Sequence, residues 1–302
     1  MRLALLCLLP LGIAGCVSDS PVTTAGTDAA TESSTPVDAS ADSGSDTSSD
    51  VAQPWSPAAL DTEDKLALWL EGSAPNVGVS NGKVGKWTDL SKHKTNAVNI
   101  NGGPTVLAGA ANGHDALHFG TFGVTLDVAD APSLQFADHQ VYLEAVVRSQ
   151  KTRGFVWSKA TSVNAGSGPS YTTGLELFTE TPTTGTAPSF GAHIRPDAQN
   201  TNHWGDAVFT DTSFHALRLR RTSTTELVLG VDDQPLRPAG VQTFPVDEAG
   251  KPVSIGPVLY GNLTPQVDFD IAELVVVHDA NGVVLDGDVT ALHAYVKKKY
   301  GL

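Results

Sequence analysis

Cysteine is nearly missing from this 302-residue chain: only Cys7 and Cys16 occur. Everything downstream of Cys16 is therefore without disulfides, thiol catalysis or thiolate metal sites. The folded part must be held by packing, which a domain of this length can supply. Positive charge is scarce as well. Nineteen basic residues face 33 acidic ones, a net charge of −14, and no Lys or Arg lies between Val17 and Gln53. That balance excludes nucleic acid as a partner, because phosphate backbones are bound by clustered cations. The two basic runs, Arg218-Leu219-Arg220-Arg221 and Lys297-Lys298-Lys299, read as a solvated stripe on one strand face and as the last turn of a helix, whose dipole favours cations. There is no Gly-x-Ser-x-Gly elbow, phosphate loop or dinucleotide fingerprint.

The opening residues carry more information. Met1-Arg2, an apolar run from Leu3 to Leu11, the small residues around Ala14 and then Cys16 have the layout of a secretory signal, too short to span a bilayer. Ile13-Ala14-Gly15-Cys16 resembles the lipobox of bacterial lipoproteins. The resemblance implies a signal peptide over 1–15 and a lipid on Cys16 that anchors the chain to a membrane. Val17 is not the Asp that retains many lipoproteins at the inner membrane, so the resemblance favours an address in the cell envelope at the outer membrane.

From Cys16 to Gln53 the chain is Ser, Thr, Asp, Ala, Gly and Pro with seven acids. Such a segment buries too little apolar surface to offset ordering, and its charges repel, so it reads as a disordered tether. A flexible coil of that length spans about 30 to 35 Å, enough to clear lipid headgroups.

Residues 54–302 make one domain for an all-β chain. Removing the tether's seven acids and Arg2 leaves 26 acidic and 18 basic residues, a net charge of −8. Short strands are expected at 66–70, 84–90, 97–100, 116–119, 124–128, 141–149, 154–159, 174–178, 189–195, 215–221, 226–231, 253–255 and 269–278. Asn81-Gly82, Asn112-Gly113 and Asp232-Asp233 stand between them as turn formers. The alternation Leu217, Arg218, Leu219, Arg220 predicts one buried and one wet face. Only the end is helical: Val289, Leu292, Tyr295, Val296 and Tyr300 recur three or four apart, with Asp288 as expected N-cap and Gly301 behind.

Several pieces in order resemble bacterial concanavalin A-like (laminin G-like) domains. These are Leu68-Trp69-Leu70-Glu71, Val84 to Ser91, Pro104-Thr105-Val106, Ala116 to Phe119, Val141 to Ser149, Ile271-Ala272-Glu273-Leu274 and Tyr295 to Gly301. The resemblance covers nearly all of 60–302 and implies a two-sheet antiparallel jelly-roll sandwich with a short C-terminal helix. That fold serves lectins, adhesive modules and glycan-cleaving enzymes, so function does not follow from it.

Two residue groups compete for the function. Asp268-Phe269-Asp270-Ile271-Ala272-Glu273 is similar to the Glu-x-Asp-x-x-Glu strand of β-glucanases, but the first position is shortened to Asp268. Retaining hydrolysis needs carboxyls about 5 to 5.5 Å apart, and the shorter side chain withdraws one of them. Asp268, Asp270 and Glu273 are therefore the catalytic alternative, a glycan hydrolase of the β-glucanase type. The preferred reading is a noncatalytic, surface-tethered module for glycan or another extracellular ligand. Its rim is His203, Trp204 and Asp206, an aromatic with polar neighbours in a segment that reads as a long loop. Trp69, Trp87 and Trp157 read as core. A structural envelope protein is the third reading. His114 and His118, four apart on an expected strand, lie about 13 Å apart, too far for one metal. No cofactor is called for, although the resemblance admits calcium at the rim.

Overall fold

The computed structural model describes residues 54–100, 102–120, 124–136, 140–151, 154–163, 171–180, 189–195, 203–208, 211–223, 226–241, 250–256, 268–278 and 283–302. Among these the chain forms α1 (Ala58–Asp61), β1 (Leu66–Glu71), β2 (Val77–Ser80), β3 (Lys83–Trp87), β4 (Ala97–Asn99), β5 (Thr105–Ala111), β6 (His114–Phe119), β7 (Leu126–Val128) and β8 (Val141–Lys151). It continues through β9 (Gly154–Val163), β10 (Tyr171–Glu180), β11 (Ser189–Arg195), β12 (His203–Val208), β13 (His215–Arg221), β14 (Glu226–Val231), β15 (Arg237–Val241), β16 (Val253–Gly256), β17 (Asp268–His278) and α2 (Asp286–Tyr300).

The strands pair antiparallel into two sheets, an all-β sandwich with a short C-terminal helix, as the alternation and the turn residues predict. One sheet runs β15-β14-β13-β8-β17-β6-β5, with β1 also on β17; the other runs β12-β11-β10-β9-β16-β7-β4-β3-β2. Left-handed φ at Asn81 and Gly82, and at Asn112 and Gly113, closes the β2–β3 and β5–β6 hairpins. Alternation does not reveal β2, β5, β12 or β15. His203, Trp204 and Asp206 thus stand on a strand rather than a loop: β12 pairs with β11 at the sheet's edge, Ala192 opposite His203, and that ladder orders a segment too polar to announce itself.

Two cores result. Between the sheets lie Trp87, Trp157, Phe136 and the stacked pair Phe119 and Phe269, ring centroids 5.0 Å apart. Each such side chain contributes about 1.5 to 3 kcal/mol on burial. The second core lies on the outer face of the β17 sheet, where Leu66, Tyr142, Val146, Ala216, Val275 and Val277 meet Val289, Leu292, Val296 and Tyr300 of α2. Trp69 packs at the margin of this second core, not between the sheets.

Because α2 covers that face, the wet stripe expected on β13 is not wet. Arg218 is buried and Arg220 half-buried, and Arg221, on the other face with Leu217 and Leu219, is buried as well. Arg218 donates to the Gln234 carbonyl, and Arg220 donates to Asp286 Oδ1 (2.6 Å) and the Val284 carbonyl (2.7 Å). The helix also starts earlier than expected, at Asp286, with Leu285 as an N-cap that makes no side-chain bond. Asp288 instead accepts from Lys65 Nζ at 3.1 Å, and both acids still face the positive end of the helix dipole. At the other end Gly301 takes φ 70°, and its N–H bonds the Lys297 carbonyl at 2.8 Å.

β17 organises the site region. Its first half pairs with β6 and its second half with β1, so these two strands meet along one side of it, while β8 runs along the other. At the junction the Gly72 N–H bonds the Ala272 carbonyl at 2.8 Å, and a Cβ on Gly72 would stand 2.7 Å from the Asp115 carbonyl oxygen. Opposite β8 the register jumps from Ile271↔Val147 to Glu273↔Val146. Ala272 is the extra residue of this bulge, and both it and Glu273 turn toward α2.

Candidate functional site

The acidic strand is resolved into three unlike carboxylates. Glu273 is 1% exposed and closed by four donors. Trp69 Nε1 (2.6 Å) and Tyr295 Oη (3.2 Å) bond Oε1, while Lys299 Nζ (2.8 Å) and Tyr300 Oη (2.8 Å) bond Oε2. Burial pushes its carboxyl above the usual range, against the pull of the Lys299 charge. Burial and the same carboxylate drive the Tyr295 and Tyr300 phenols far upward, so both remain donors.

Asp270 is fully buried and is the cross-strand neighbour of both Arg148 and His118. Arg148 Nε and Nη2 reach its Oδ2 at 2.7 and 2.6 Å, and His118 Nδ1 lies 2.8 Å from Oδ1. Asp268 is partly exposed, with Oδ1 4.0 Å from His118 Nδ1. A retaining glycosidase needs two carboxyls flanking an open bond. Glu273, roofed by α2, does not face an open space. It joins β17, β1 and α2.

Nothing in the sequence pattern pointed to a second constellation. Ser213 Oγ lies 3.4 Å from His215 Nε2, and His215 Nδ1 lies 2.8 Å from Asp232 Oδ2, the order of a Ser-His-Asp triad. Asp211 changes its chemistry. Its Oδ1 is 3.1 Å from the same Nε2 and accepts the hydrogen bond of the Ser213 hydroxyl. Hydrogen bonding to Asp232, reinforced by Asp211, raises the His215 pKa above the ordinary 6.5. The Ser213 hydroxyl is directed at Asp211 and both imidazole nitrogens face carboxylates, so the serine is not poised on a free base.

Among the described residues, a cleft of about 820 Å³ lies between the segment that leads into α1 and the exposed side of α2. Trp55, Tyr295 and His114 form its aromatic lining, and Ala291, Lys298 and Lys299 complete the helix side. Trp55 meets Tyr295 edge-on, centroids 6.1 Å apart, and both rings stay half-exposed. Lys299 Nζ lies 5.2 Å from the Tyr295 and Tyr300 ring centroids, and His114 stands edge-on to Tyr300 at 5.2 Å. The sequence signal for this site is that Ala291 and Lys298 stand at helical spacing on either side of Tyr295, at the margin of the core stripe.

The strand positions of His203, Trp204 and Asp206 are described, but their side chains, like Cys16, lie outside the described residues. Among the described residues no three His, Cys, Asp or Glu side chains are grouped so as to hold a metal ion.

No protein-family model and no curated protein matches this chain. Solved structures do. A GH54 α-L-arabinofuranosidase soaked with a cyclic sulfate inhibitor is similar over 82% of this chain and 66% of its own, at 10% identity and a TM-score of 0.54. A Trypanosoma rangeli sialidase in complex with a difluoro-KDN is similar over 78% of this chain and 33% of its own, at 15% identity and a TM-score of 0.50. The binding domain of Paraclostridial Mosquitocidal Protein 1 follows at 13% identity and a TM-score of 0.48, with 78% and 52% covered. The chain spans about half the length of the first of these binding-domain matches and a third of the sialidase. At such identities the likeness to the two enzymes shows the β-sandwich fold.

Proposed function

We propose that this protein is a surface-tethered, noncatalytic glycan-binding module of the concanavalin A-like (laminin G-like) kind, anchored through lipid on Cys16 in the outer membrane. The observation that carries the reading is the open cleft whose walls are the half-exposed rings of Trp55 and Tyr295. Sugars present C–H faces that stack on aromatic rings, and a ring already fixed by packing loses little entropy on binding. The two glycan-acting enzymes with a similar sandwich agree with a glycan ligand. The β12 positions His203, Trp204 and Asp206 are the second candidate rim. A hydrolase acting through Asp268 and Glu273 is the catalytic alternative, favoured by the same two enzymes and opposed by the roof that α2 sets over Glu273.

A glycan array probed with the full chain, with and without calcium, tests this. Binding is expected, weakened at least fivefold by Trp55→Ala with the melting temperature little changed, since stacking of about 1 kcal/mol disappears. Loss on Trp204→Ala but not on Trp55→Ala moves the site to β12. Release of reducing ends from a β-glucan by the wild type, abolished in Glu273→Gln, overturns the noncatalytic reading.

A further inference from the structure

The three consecutive lysines at the end of α2 have three different fates. Lys297 pairs with Asp233 at 2.5 Å. Lys299 is held between Glu71 (2.9 Å) and Glu273 (2.8 Å), so its charge is spent inside the fold. Lys298 is exposed, reaches the cleft, and has no acidic partner among the described residues. No Asp or Glu lines the cleft among the described residues. An aromatic platform with one uncommitted ammonium at its rim matches a ring that carries both a stacking face and a negative group.

We infer that the cleft selects acidic sugars, the carboxylate of a uronic-acid or related residue meeting Lys298 while its ring stacks on the wall that Trp55 and Tyr295 build together. This rests on the cleft being the glycan site. Helix geometry supports the division of labour: Tyr295 and Lys298 are three apart and share one face, so stacking and ion pairing fall on one bound residue. Lys299 reinforces the platform from behind, over the Tyr295 ring, without competing for the ligand's charge.

The test is an array in which each acidic glycan is printed beside its carboxyl-reduced counterpart, read with the full chain, Lys298→Met and Trp55→Ala. Acidic members are expected to bind about fivefold more tightly than their neutral partners, the scale of a solvent-facing ion pair. That preference should shrink in about 0.5 M salt through screening. Lys298→Met should bring the acidic members down to the neutral ones, leave the neutral ones unchanged and keep the melting temperature. Equal binding of acidic and neutral members by the wild type, or a preference that survives Lys298→Met, overturns the acidic-sugar inference and leaves the glycan reading standing. Binding indifferent to Trp55→Ala, or no binding at all, removes the cleft as the site and this inference with it. Competition by short oligoglutamate as strong as by an acidic trisaccharide would show bare anion capture, and that also overturns it.

Discussion

The Tyr300 hydroxyl donates to Glu273 Oε2 at 2.8 Å, tying the last turn of the C-terminal helix to the bulge in β17. With Lys299 and Tyr295 from the same helix and Trp69 from β1, the buried carboxylate is the point where three elements converge. The strand that most resembles a catalytic motif is thus used to fasten a helix.

Glu273→Gln keeps the size of the side chain but removes its charge and sets an NH₂ against donors. Breaking one side of a buried pair costs about 3 kcal/mol, and a drop of that order in urea-unfolding stability is expected. Lys299→Met added to it should cost much less than its own single effect, since the partners act together. A loss under about 1 kcal/mol in Glu273→Gln would show that the network contributes little.

His215 predicts a pH dependence. Its pKa is raised in the folded protein above the ordinary 6.5 by Asp232 and Asp211. The stabilisation is therefore complete below 6.5 and is lost as pH rises through the raised value. Melting temperatures of the wild type should fall from about pH 6 to pH 8 more steeply than those of His215→Gln. Parallel curves for the two proteins would contradict the assignment.

Gly72→Ala should destabilise, because its Cβ would stand 2.7 Å from the Asp115 carbonyl oxygen and 3.1 Å from that of Ala272, both backbone atoms of paired strands. Overpacking of this kind costs about 1 to 3 kcal/mol. Wild-type stability in the variant would mean that β1 and β6 separate easily at their junction.

Anchoring is tested by Cys16→Ser, which should abolish metabolic labelling with fatty acid and release the protein from membranes, while Cys7→Ser changes neither. Labelled Cys16→Ser protein would refute lipidation at that position.

All thirteen strands expected from alternation are present, and the four that alternation does not reveal, β2, β5, β12 and β15, are the outermost strands of the two sheets. The reason is physical. An edge strand packs against one neighbour, and its burial pattern is faint, as Val77–Ser80 shows with no buried residue. Pro238 in β15 and Gly109 in β5 are tolerated there because the ladder is one-sided. The wet face assigned to β13 failed for another reason: Arg220 is bound by Val284 and Asp286, at the start of a helix remote in sequence, and strand periodicity carries no information about it. The cleft was hidden likewise, since Trp55 and Tyr295 meet only after α2 has docked.

The order of the strands along the chain has a consequence for biosynthesis. β17 is made last yet lies in the middle of its sheet, with Leu66 of the first strand pairing with Val277. A nascent chain stopped short of Asp268 leaves β1, β6 and β8 without a common neighbour, so that sheet cannot close until the carboxy-terminal strand and helix have been synthesised. Contacts of such long range also make closure slow. Until Asp268–His278 has been made, β6 and β8 each keep one unpaired edge.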